Sequence, residues 1–146
     1  MLRSSWVPLI VFSLILVSAC GGDSGTSPSA PPPTAPFSQT DLRVGTGADA
    51  TAGRRITVNY TGWLYDPTKP DNKGSQFDSS LTAGRAPLTV TPGSVIAGFE
   101  RGIVGMRVGG LRRVTIPPEL GYGSTAQNGI PSGSTLVFEI ELLQVN

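Results

Sequence analysis

Few side chains in this chain are equipped for chemistry. It has no histidine and a single cysteine, Cys20. Without imidazole there is no side chain that titrates near pH 7 in its ordinary state. Histidine-assisted nucleophiles, Cys–His pairs, structural zinc sites and internal disulfides are all excluded. What remains is a set of hydroxyls and carboxylates in aromatic company: Tyr60, Asp78 after Phe77, and Tyr122 between two glycines. Taken singly, each has a structural use. Tyr60 alternates with apolar positions and suits a core. Asp78 before Ser79-Ser80 suits a turn closed by side-chain hydrogen bonds. Tyr122 suits a loop anchor, and Phe138 is core. Any reaction here must proceed without the usual titrating groups.

The elements that must position these residues centre on residues 95–103. Ile96, Phe99 and Ile103 are spaced i, i+3 and i+7, so they share one face of a short helix. Pro92-Gly93 precedes it, and Ser94 is placed to cap it through its hydroxyl. Gly98 and Gly102 each weaken such a helix by roughly 1 kcal/mol relative to alanine. So short a helix does not persist alone in water and must lie against something larger. Strands supply it. Ile56, Val58 and Tyr60 alternate with Thr57, Asn59 and Thr61 in a half-buried strand. Residues 65–76 read as a surface loop, rich in Pro, Asp, Asn and Gly. Phe77 to Ser80 resumes an extended run, and Leu88 and Val90 alternate before the helix. Residues 111–116 form a strand stopped by Pro117-Pro118, and a loop rich in Gly, Ser and Asn follows Tyr122. The closing strand, residues 135–145, puts Leu136, Phe138, Ile140 and Leu142 on one face. Glu100 and Arg101 read as solvated or capping charges of the helix, and Arg112-Arg113 as a solvated strand edge. Strands, one helix and no βαβ alternation predict an antiparallel α+β domain over residues 37–146.

Ahead of that domain the composition changes twice. A short basic start and an apolar run from Trp6 to Val17 have the proportions of a signal-peptide core. The run ends in Leu16-Val17-Ser18-Ala19-Cys20, which resembles the lipobox of bacterial lipoproteins, with valine where leucine is preferred. The resemblance implies a lipoprotein signal over residues 1–20, cut just before Cys20, which is lipidated as the mature N-terminus and anchors the chain to a membrane in the cell envelope. Gly21, in place of an aspartate, implies outer-membrane sorting, with the domain facing the periplasm. Residues 21–36 hold almost no large apolar side chain and read as a flexible, partly polyproline tether. A formal net charge of +1 argues against a nucleic-acid partner.

Five motifs lie in one register: Val58-Asn59-Tyr60-Thr61-Gly62, Phe77-Asp78-Ser79-Ser80, Val95-Ile96-Ala97-Gly98-Phe99, Gly121-Tyr122-Gly123 and Leu136-Val137-Phe138-Glu139. In order and spacing the domain resembles FKBP-type peptidyl-prolyl cis-trans isomerases. The resemblance implies a twisted five-stranded antiparallel sheet wrapped around one short helix. It implies an apolar cavity lined by Tyr60, Phe77, Leu88, Val95, Ile96, Phe99, Tyr122, Ile130 and Phe138, with Asp78 at its edge. Asp78, Tyr122, Phe99 and Ile96 are the implied catalytic residues. Tyr122 O–H and Ile96 N–H would donate to substrate carbonyls, and Asp78 would tie down Tyr60. Phe99 stands where tryptophan is common, and Leu88 where an aromatic is common. The implied partners are proline-containing polypeptides, with macrolide inhibitors such as rapamycin as candidate ligands. No cofactor, metal or ATP is implied. A non-catalytic peptide-binding lipoprotein using the same pocket is the alternative.

Those residue types suit the reaction. Rotation about a peptide bond breaks amide resonance against a barrier near 18–20 kcal/mol. No bond is made and no net proton moves. The twisted amide is less dipolar at its carbonyl, so a dry aromatic pocket penalises the planar ground state more than the transition state.

Overall fold

Strand β1 (Ser38–Arg43), β2 (Ile56–Tyr65), β3 (Lys73–Ser79) and β4 (Leu88–Val90) precede helix α1 (Ala97–Ile103); β5 (Leu111–Ile116) and β6 (Leu136–Val145) follow it. The computed structural model describes residues 30–146. One antiparallel sheet runs β1-β5-β6-β2-β3, with β4 also paired to β2. On one side β2 pairs with β6 from Ile56↔Val145 to Leu64↔Leu136. Its other side is shared: β4 takes Ile56 to Val58, and β3 takes Thr61 to Tyr65. The expected five strands are therefore met at every level of the sheet, with the β3 edge broken into two pieces by residues 80–87.

Period-two alternation explains the long strands. Ile56, Val58 and Tyr60 of β2 and Leu136, Phe138, Ile140 and Leu142 of β6 are all buried on the face that meets α1 and the core. Helix α1 crosses that face over β5, and its two glycines are the reason it can. A Cβ on Gly98 would lie 2.3 Å from Ile116 Cγ2, and one on Gly102 2.7 Å from Val114 Cγ2. The helical cost of glycine is offset by direct backbone-to-side-chain packing.

Three sequence expectations are corrected. Ser94 does not cap α1, whose N-cap position is Ile96 with no side-chain cap. Ser94 Oγ instead accepts from Thr91 N–H at 3.0 Å and donates to Thr91 O at 2.7 Å, closing the preceding turn. The Glu100 carboxylate reaches back to accept from Gly93 N–H at 2.5 Å. The loop after β2 is shorter than residues 65–76, because Tyr65 ends β2 and Lys73 already pairs with it. Finally, neither Arg112 nor Arg113 is a solvated edge, since β1 lies outside β5. Arg112 is buried; it donates to Gly102 O at 3.0 Å and Val104 O at 3.1 Å, and forks onto both oxygens of Asp41. It satisfies carbonyls at the C-terminal end of α1, where a cation is favoured. Arg113 meets Glu139, its cross-strand partner, and Asp71.

The folded unit also reaches back before Phe37. Ala35 N–H donates to Thr135 Oγ1 at 3.3 Å, and the Phe37 ring lies 4.4 Å from the Arg101 guanidinium carbon.

Gly98→Ala should reverse the usual helix rule. In an exposed helix it would stabilise by up to about 1 kcal/mol; here the Cβ meets Ile116, and the cost should be about 1–3 kcal/mol. Urea denaturation checks this, and a variant as stable as the parent would contradict the close contact.

Candidate functional site

A cavity of about 140 Å³ opens between the concave face of the sheet and the N-terminal end of α1. Strand β2 contributes Tyr60, β3 contributes Phe77 and Asp78, β4 contributes Leu88 and β6 contributes Phe138. Val95 and Ile96 lead into the helix, Phe99 comes from its first turn, and Tyr122 from the loop after β5. Ser94, read from sequence as a cap, also lines the wall.

Four rings form a continuous apolar box. Phe138 is its hub: Phe99 lies 5.1 Å away at 88°, Phe77 5.5 Å away at 87°, and Tyr60 6.1 Å away at 54°. Tyr60 and Phe99 meet edge to face at 5.8 Å. Such pairs contribute about 0.5–1.5 kcal/mol each beyond area burial, and they fix ring orientation. Gly62 makes room for two of them. A Cβ there would lie 2.6 Å from Phe77 Cζ and 2.7 Å from Phe138 Cε1.

Polar groups occupy the rim. Tyr60 O–H donates to Asp78 Oδ2, while Asp78 Oδ1 accepts from Arg85 and, at 2.9 Å, from Ser79 N–H. Arg85 also donates to Ser79 O at 3.1 Å. Ser79 and Ser80 are both buried and bind the Tyr60 backbone: Ser80 Oγ accepts from Tyr60 N–H at 2.9 Å, and Ser79 Oγ donates to Tyr60 O at 3.2 Å. They fasten the end of β3 to β2 and so bring Asp78 to Tyr60. By contrast, Ile96 N–H and Tyr122 O–H have no hydrogen-bond partner among the described residues. Two donors are thus free at the mouth of an aromatic box.

Burial and the anionic neighbour push the Tyr60 phenol up to about 12. Burial is also the largest influence on Asp78 and would raise it, but the hydrogen bonds from Tyr60, Arg85 and Ser79 together outweigh it. They hold the carboxyl below the usual carboxylate range. Across neutral pH the site therefore holds one fixed carboxylate and a protonated phenol. No cluster of His, Cys, Asp and Glu suited to a metal occurs among the described residues.

Nine of the ten sequence-predicted pocket residues converge here, and Ile130 does not. It is buried in the core under the loop after Tyr122, where it exchanges backbone hydrogen bonds with Gln127. Cys20 lies outside the described residues. Arg85 was not anticipated, because an arginine seven residues after Asp78 in a Gly-containing loop has no sequence signal.

Residues 47–143 match the family model described as FKBP-type peptidyl-prolyl cis-trans isomerase. The chain belongs to that family. It is 50% identical over 108 residues to an FK506-binding protein of Neisseria meningitidis, covering 72% of this chain and 92% of that protein. It is 44% identical over 106 residues to FK506-binding protein 1 of Aspergillus oryzae, covering 70% and 91%. Among solved structures, FkpA from Escherichia coli superposes with a TM-score of 0.65 at 37% identity, covering 75% of this chain. The chain spans about half of FkpA, 48% of its length.

Asp78→Asn should lower the Tyr60 pKa from about 12 towards the ordinary phenol value near 10, since it removes the anionic acceptor. A raised phenol stabilises the fold fully below its unfolded pKa, and this is lost as pH rises through the folded value. The lowered Asp78 contributes above its unfolded pKa and is lost as pH falls through its folded value. NMR titration of the Tyr60 ring in both proteins checks the coupling; an unmoved pKa would refute it.

Proposed function

We propose that this isomerase turns X-Pro bonds of exported polypeptides in the Tyr60–Phe138 box, from a position in the cell envelope fixed by a lipid on Cys20. The observation that carries the site is the pair of unpartnered donors, Ile96 N–H and Tyr122 O–H, beside an aromatic cavity. The proline ring enters between Phe77, Phe99 and Phe138, with Val95 on the helix side, and displaces water. Ile96 N–H and Tyr122 O–H take substrate carbonyls on either side of the turning bond. Bonds to an unpaired donor favour whichever state presents its carbonyl best, and the twisted amide is free to do so.

Asp78 acts as a fixed charge. With three donors on its oxygens it is not available as a base, which suits a reaction that moves no proton. Its negative charge lies at the pocket edge, beside the carbonyl carbon as the amide loses its double-bond character. Each 1.4 kcal/mol of preference for the twisted state is worth about tenfold in rate. Several such increments are accessible to desolvation together with two hydrogen bonds.

Support for the envelope location comes from the sequence alone: the apolar run before Cys20 and the Pro-rich stretch after it. Outer-membrane sorting rests on Gly21. The names of the relatives support FK506 as a ligand of the same box, reshaped here by Phe99 and Leu88, and the family resemblance extends this to macrolides such as rapamycin.

Prolyl exchange in short X-Pro peptides tests the site. Asp78→Val or Phe99→Ala should lower kcat/KM by about tenfold or more while the circular dichroism spectrum is kept. Unchanged exchange in both would remove the site. Binding of the peptide with no exchange in the parent would favour the peptide-binding alternative. Cys20→Ser should move the protein from the membrane to the soluble fraction; a variant that still sediments with membranes would refute the anchor.

A further inference from the structure

A second cavity, about 290 Å³, opens on the other side of the segment that joins β4 to α1. The two hollows share that segment as a wall. Leu88 and Ile96 face the aromatic box, whereas Val90 and Ala97 face the second cavity. Ile56, Val90 and Ile103 form a buried floor, and Val104 stands at the rim, 45% exposed. Nothing in the isomerase mechanism uses this cavity.

The charge around it is net positive. Among the described residues, Arg43, Lys73, Arg85, Arg107, Arg112 and Arg113 each pair with a carboxylate. Arg54, Arg55, Lys69 and Arg101 form no such pair within the described residues. Two of those four, Arg54 and Arg101, line this cavity. Arg101 is held in place by the Phe37 ring, a contact that leaves its charge unneutralised. The one carboxylate on the lining, Glu100, accepts from Gly93 N–H and keeps its charge, so the two lining guanidinium groups outnumber it and leave the rim net positive. An apolar hollow flanked by two unpaired guanidinium groups against one carboxylate is complementary to an apolar group flanked by acids.

The geometry points to a docking site for an acidic peptide segment, one aliphatic side chain filling the cavity while neighbouring carboxylates meet Arg54 and Arg101. A concave site favours a peptide side chain over a lipid surface, which is engaged by protruding apolar residues. The site stands independently of the isomerase pocket.

Fluorescence anisotropy on the Cys20→Ser chain tests it with proline-free labelled peptides: a leucine flanked by glutamates, and the same peptide with lysines. The acidic peptide should bind, weaken with added salt, and lose about tenfold in affinity to an Arg54→Glu/Arg101→Glu chain. Val104→Asp should weaken it from the apolar side of the same rim. The lysine peptide should not bind, and prolyl exchange of a short X-Pro substrate should be unchanged in both variants. No binding, equal binding of the lysine peptide, or binding that survives charge reversal would overturn the site. Loss of binding in Phe99→Ala would move the peptide to the aromatic box. Charge-dependent binding to phosphatidylglycerol vesicles without peptide binding would hand the surface to a membrane, and overturn the proposal as well.

Discussion

The backbone of α1 lies directly on Ile116 and Val114, and the rest of the site depends on that contact. A seven-residue helix with two glycines has almost no stability of its own. Its position is set by the strand beneath it. Gly98 lets the first turn sink onto β5, and Phe99, the next residue, is thereby carried towards Phe138 and Tyr60. Arg112, from the same strand, satisfies carbonyls at the other end of the helix and ties it to Asp41 on β1. Floor, helix and edge strand are held by one interior strand, so the box inherits the stiffness of the sheet.

The rim is organised by a different kind of interaction. Ser79 and Ser80 fasten β3 to the Tyr60 backbone, and this sets Asp78 where Tyr60 and Arg85 both reach it. About a third of the Asp78 side chain and half of Arg85 remain in solvent, so the ion pair itself adds little stability. Its consequence is chemical: the carboxylate is pinned and already satisfied. The groups left free are two neutral donors, Ile96 N–H and Tyr122 O–H. A site built this way binds and desolvates; it does not exchange protons.

Much of this was legible in the sequence, for identifiable reasons. β2 and β6 carry apolar residues every second position, and buried strands of that kind announce themselves. β1 does not, because Ser38 to Arg43 is exposed throughout and its alternation has no apolar phase. With β1 silent in the sequence, Arg112 and Arg113 read as edge residues, whereas one is buried and the other bridges Glu139 and Asp71. The start of β3 was hidden by Lys73-Gly74, which reads as loop; yet a Cβ on Gly74 would lie 2.8 Å from Leu64 O, so glycine is required by close pairing. The pocket residues were legible through the family resemblance, since singly each looked structural. Arg85 was illegible, because its partner is chosen by the path of residues 80–87 and by nothing local. Ile130 sits in the right loop, but its side chain is turned into the core.

Prolyl rotation in this box is driven by desolvation and fixed donors, with no proton in flight. The direct test is kcat/KM for exchange of a short X-Pro peptide in H₂O and D₂O, followed from about pH 5 to about pH 9, the range in which catalytic acids and bases titrate. A flat profile and a solvent isotope ratio near unity are expected. A bell-shaped profile, or a ratio of about two or more, would place a proton in the transition state and contradict it.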